Sequence, residues 1–90
     1  MIDDYGNLLF SVRDRISGTH SGPYMFVNES DMKRRFYIYY RDNPFSSDLE
    51  VYTLGIFNPC TGAIAVTPGS PLFFCNMPDI IKEFSDHEKA

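Results

Sequence analysis

The chain has 90 residues, a formal charge of −4, and 43% hydrophobic and 16% aromatic residues. One domain is expected over residues 1–90, burying about 60–65% of the surface its unfolded chain exposes. The acidic balance argues against a broadly basic nucleic-acid footprint, and no apolar run approaches the roughly 20 residues of a membrane span.

The charge is unevenly distributed. Residues 5–41 hold six basic and three acidic side chains, whereas residues 43–90 hold six acidic ones and two lysines. Local field, not net charge, governs where an anion docks. Cys60 and Cys75 form no CxxC pair, and His20 and His87 stand apart, so neither a zinc site nor any other metal or cofactor is expected. The opening MIDDYG lacks the basic segment of a secretory leader. Free thiols in a cytoplasm are therefore expected, with one disulfide in a secreted protein as the alternative.

In chain order, residues 8–15 read as a strand: Leu9, Ser11 and Arg13 alternate with Phe10, Val12 and Asp14. Residues 17–23, SGTHSGP, read as a loop by composition. YMFV, residues 24–27, is a short second strand. From Asn28 to Asp42 the periodicity predicts a helix, because Asn28, Ser30 and Asp31 suit an N-terminus. Met32, Phe36, Tyr39 and Tyr40 then share an apolar face, with Lys33, Arg34, Tyr37 and Arg41 opposite. The run RFYIYY is also rich in strand formers, which leaves a strand as the alternative.

After the break DNPFSS, residues 49–57 alternate Leu49, Val51, Thr53 against Glu50, Tyr52, Leu54, with Asp48 and Glu50 at a solvated edge. NPCTG turns the chain into a returning strand at residues 63–66, a hairpin with glycine closing the loop. PLFFC reads as a weak edge strand opened by Pro71. Residues 77–88 fit a C-terminal helix with Ile80, Ile81 and Phe84 on one side. The expected fold is α+β: a small antiparallel sheet ordered β-β-α-β-β, plus the edge strand, with one packed helix and a C-terminal helix. Residues 1–7 and 86–90 are expected to fray.

Catalysis needs a nucleophile beside a base, paired carboxylates in a cleft, or a metal. None has a signature here, and both GxGxxG and GxxxxGK[ST] are absent, so no enzyme is expected. The binding constellation is stronger. Lys33, Arg34, Arg35 and Arg41 are interleaved with Tyr37, Tyr39 and Tyr40, and Arg13 and Arg15 could extend the track. Cations along phosphates and rings under bases are what hold a single strand. Tyr37 is the ring expected to stack. The same residues also suit a solvated basic helix face or a protein-interaction surface. A homodimer, or an adaptor for another protein, is the second reading.

Two stretches, residues 11–36 (SVRDRISGTHSGPYMFVNESDMKRRF) and residues 49–64 (LEVYTLGIFNPCTGAI), together resemble a known family. It is the small non-structural DNA-binding protein of gokushovirus-type microviruses, the single-stranded DNA phages. The similarity lies in a strand ending in a charged pair, Gly-Pro before an aromatic, an Asn-led helix, and a Leu54-Gly55-x-Phe57 strand with a Thr61-Gly62 turn. The resemblance implies single-stranded DNA binding in genome replication or packaging, in the host cytoplasm. It carries over to Arg13, Arg15, Arg34, Arg35 and Phe36, the last as core. Asn58 stands where family members commonly have Asp, Pro59 and Cys60 are unusual in that turn, and the tail beyond Thr67 has no clear counterpart.

Overall fold

A computed structural model describes residues 7–89, with side chains through Asp86. Strand β1 (Asn7–Asp14) and strand β2 (Thr19–Phe26) form the first antiparallel pair. Helix α1 (Glu29–Tyr40) follows, and a single 3-10 turn at Ser46–Asp48 leads into β3 (Leu49–Phe57). Then come β4 (Ile64–Val66), β5 (Leu72–Asn76) and helix α2 (Met77–Lys89). The sheet is antiparallel and ordered β2-β1-β3, with β4 and β5 sharing the far edge of β3. β4 pairs with residues 55–57 and β5 with residues 50–53. The architecture is α+β, as the residue pattern indicates.

Local sequence explains most boundaries. Asn28 caps α1: its side-chain oxygen accepts from the Asp31 backbone N–H at 2.8 Å, satisfying one of the donors a helix start leaves open. In the β3–β4 turn, Asn58 Oδ1 accepts from the N–H groups of Cys60 and Thr61. Gly62 there takes φ +79°, a value side chains resist. α2 starts directly after β5, with Met77 and Ile80 fully buried.

Of the stretch SGTHSGP only Ser17 and Gly18 lie in a turn; the rest is strand. β2 begins at Thr19, and Asp14, Arg13 and Val12 pair with Thr19, His20 and Ser21. Composition marks the segment as irregular because it holds two glycines and a proline. The fold uses these residues at a bulge between Phe10 and Val12, where Gly22 has φ +112° and the Gly22–Pro23 peptide is cis. Asn7, expected to fray, is paired with Phe57, and α2 runs to Lys89. Fraying expected at residues 1–6 and 90 lies outside the described residues.

The core lies between one face of the sheet and the two helices. Phe10, Val12, Phe26 and Val51 meet Met32 and Phe36 of α1 and Met77 and Ile80 of α2. Phe36 sits at its centre, with the rings of Tyr24, Phe26 and Tyr40 edge-on at 5.1–5.8 Å. Such pairs add about 0.5–1.5 kcal/mol each beyond the area they bury. α2 packs against α1 as well as against β3 and β5.

That second contact corrects the expected facing of α1. Tyr37 is buried, 7% exposed. Its ring stacks on Phe84 of α2, centroids 5.5 Å apart and planes 25° from parallel. Tyr39, expected inward, is 54% exposed. A single apolar stripe describes a helix with one neighbour, but α1 has two. Lys33 and Tyr37, one turn apart, face α2.

Candidate nucleic-acid interface

In a pleated strand, neighbouring side chains point to opposite faces. Phe10, Val12 and Val51 point toward the helices, so Ser11, Arg13, Glu50 and Tyr52 point away from them. No described helix covers that outer face. Register then aligns the outward residues in two rows across the sheet. His20, Arg13, Glu50 and Asn76 form one, and Ser11, Tyr52 and Phe73 the other.

The outer face therefore carries a line of rings. His20 meets Tyr52 edge-to-face at 5.1 Å, and Tyr52 meets Phe73 edge-to-face at 5.9 Å. His20 is exposed and Phe73 is 54% exposed. Two hydrogen-bonded anchors hold the line in place. Ser11, only 4% exposed, lies 2.8 Å from His20 Nδ1. The Tyr52 hydroxyl donates to Glu50 Oε1 at 3.2 Å, and Arg13 donates to the same oxygen at 3.2 Å. One carboxylate thus orients a ring and a cation side by side.

The residues singled out from the sequence separate into three groups. Arg13 lies in the middle of the outer face, half-exposed. Arg15, in the turn beyond β1, pairs with Asp48 at 2.9 Å. Asp48 and Glu50 are therefore ion-pair partners across β1 and β3, not merely solvated carboxylates. Arg34 and Arg35 form the second group. Both donate to Oδ1 of Asp31, at 3.2 and 3.0 Å, and both remain exposed. The Arg35 hydrogen bond, assisted by Arg34, holds the Asp31 carboxyl below its ordinary value. Arg35 also lines a shallow groove with Met25, Phe26 and Val27, which places it at the β2 edge of the sheet, and Arg34, on the same carboxylate oxygen, lies near Val27 just past the end of β2. Lys33 and Tyr37, against α2, form the third group with Arg41, which lies over Tyr37. Lys33 lies 3.9 Å from Glu29 and 3.7 Å from Glu83. The Arg41 guanidinium sits 5.5 Å from the Tyr37 ring centroid.

His20, Tyr52 and Phe73 were not among the expected contacts. The alternation of β3 marks Tyr52 as sharing a face with Glu50. Nothing local distinguishes the outer face from the inner one, however, and the line of rings comes from three separate strands.

Among the described residues, no group of three or more His, Cys, Asp or Glu side chains is placed to hold a metal ion. No described helix is long and apolar enough to cross a membrane. Cys60 is an exposed free thiol and Cys75 a half-buried one.

No curated protein and no solved structure gives a significant match to the chain. The family described as Phage ORF5 protein matches it over residues 7–80, from the start of β1 into the first turn of α2 and so across the whole sheet. A match of that extent shows that the chain is a phage protein and belongs to the phage ORF5 protein family.

Proposed function

We propose that this phage protein binds single-stranded DNA during viral genome replication or packaging, in the host cytoplasm, and that it is not an enzyme. The observation that carries the reading is the line His20–Tyr52–Phe73 on an uncovered sheet face with Arg13 beside it. Flat rings held on a rigid sheet accept unstacked bases, each worth about 1–3 kcal/mol, with little regard for sequence. Arg34 and Arg35 at the β2 edge supply phosphate contacts where a strand leaves the face. The resemblance of residues 11–36 and 49–64 to the DNA-binding protein of gokushovirus-type microviruses supports the same reading, with such a phage as the proposed source.

A second reading, a homodimer or an adaptor for replication or capsid proteins, draws on Ile38 and Tyr39. These large residues stand exposed on the outer side of α1. Titrating labelled oligothymidine by fluorescence anisotropy at about 50 mM and 200 mM salt tests the first, since phosphate contacts release counterions. Absence of binding at the lower salt refutes it. The double variant Arg34→Glu, Arg35→Glu separates the two. Weaker DNA binding with unchanged oligomeric state supports the DNA reading, and loss of assembly supports the interaction module.

A further inference from the structure

The line of rings is bordered by a groove of about 230 Å³ that shares His20 with the rings and lies apart from the arginines. Ser11, His20, Gly22, Pro23, Leu54 and Pro71 line it. It crosses from β2 toward the segment before β5, so four separate parts of the chain build it. Its volume is below the roughly 300 Å³ at which pockets for drug-sized molecules begin. That is room for one small ring system.

From this geometry we propose that the groove is a subsite for a single nucleobase, resting on the assignment of the outer face to single-stranded DNA. A base has two apolar flat faces and a polar edge, and the groove has the matching parts. Pro23, Pro71 and Leu54 supply the apolar walls. Gly22 leaves the β2 backbone bare at one side. At its φ of +112° a Cβ would meet the Tyr24 ring and backbone at 3.0 Å, so the position excludes a side chain.

The polar part is the Ser11–His20 pair. The Ser11 side chain reaches His20 Nδ1 from beneath, at 2.8 Å. The hydrogen bond runs in either direction: where Nδ1 accepts from the Ser11 hydroxyl, Nε2 is a donor, and where Nδ1 donates to it, Nε2 is an acceptor, so either way the ring keeps one polar atom for a base edge. The other hydroxyl at the groove, that of Ser21, is engaged with the Val12 carbonyl oxygen, which leaves His20 as the reading group. Continuity with the line of rings supplies the occupant: a strand stacked on Tyr52 and Phe73 passes the mouth of the groove.

The test compares oligothymidine with an abasic oligonucleotide of equal length, by anisotropy at low salt. Wild-type protein is expected to prefer oligothymidine. Leu54→Trp, which fills the groove, is expected to weaken oligothymidine binding about tenfold and to leave abasic binding unchanged. A second measurement needs no variant: the Gly22 and Leu54 amide signals of the wild-type protein should shift when oligothymidine is added and stay in place with the abasic strand. Unmoved amides, or a Leu54→Trp variant that folds and binds oligothymidine as the wild type does, overturn the subsite while the stacking reading stands. A Leu54→Trp loss that is equal on both strands also overturns it, because the groove would then be meeting phosphate. Failure of the wild-type protein to bind either strand removes the parent reading instead.

Discussion

Replacing Tyr37 by alanine tests the most consequential difference between the pattern of α1 and its packing. The ring is 7% exposed, lies against Phe84 at 5.5 Å, and has the Arg41 guanidinium over it, also at 5.5 Å. Truncating a buried aromatic costs about 3–5 kcal/mol in transfer and cavity terms. A domain of this length has a total stability of about 5–13 kcal/mol. Each kcal/mol moves the Tm of so small a domain by about 4–8 °C, so Tyr37→Ala should lower it by about 12 °C or more. Tyr39→Ala, at a ring 54% exposed, should cost less than about 1 kcal/mol. Urea unfolding followed by circular dichroism measures both, with equal m-values expected. Matching midpoints for the two variants would refute the packing of α2 over Tyr37, and with it the division of α1 into a covered side and an open one.

Phe73→Ala removes an exposed ring of the stacking line. It should weaken oligothymidine binding by about 5- to 150-fold with little change in thermal stability, and an unchanged affinity would exclude Phe73 as a stacking platform. Asp31→Asn frees the two arginines that share Asp31 Oδ1. At about 0.7 per phosphate on a single strand, the salt slope of log affinity should steepen by up to about 1.4, with tighter binding at low salt; titrations at several salt concentrations read this directly. The folded-state pKa of Asp31 lies below its ordinary value of 3.8. Its contribution to stability is therefore fully present above that pH and lost as the pH falls further, so wild type should be more stable than Asp31→Asn above it and lose that advantage as acid unfolding is followed to lower pH. Burial pushes the Cys75 thiol up to about 11, while Cys60 is exposed. A thiol reagent at pH 8 should modify one cysteine quickly and the second only on unfolding, and two fast equivalents would contradict the placement of Cys75 on β5.

Much of the fold was legible because its causes are local. The Asn28 cap, the alternation of β3 and the Asn58–Gly62 turn each act within a few residues, and each element stands close to where its pattern puts it. β2 was half-legible. Its aromatic end reads as a strand, whereas its glycine and proline end is a strand only because β1 supplies the partners. The candidate interface was least legible. Of the expected contacts, Arg13 lies on the outer face, Arg34 and Arg35 reach its edge, and Tyr37 lies in the core. The rings that define the face sit on β2, β3 and β5.

The amino-acid order by itself determined the α+β class, the hairpin, the caps and the basic-then-acidic division of the chain, because these depend on neighbours in sequence. Only the tertiary structure decided what that division means. Arg13 meets Glu50, Arg15 meets Asp48 and Lys33 meets Glu83, so the basic early part is partly neutralised by the acidic late part instead of projecting one field. Such pairing depends on strand register and on α2 crossing α1. Both follow from burying two apolar helix stripes against one face of a sheet, a condition that no segment of the chain contains alone.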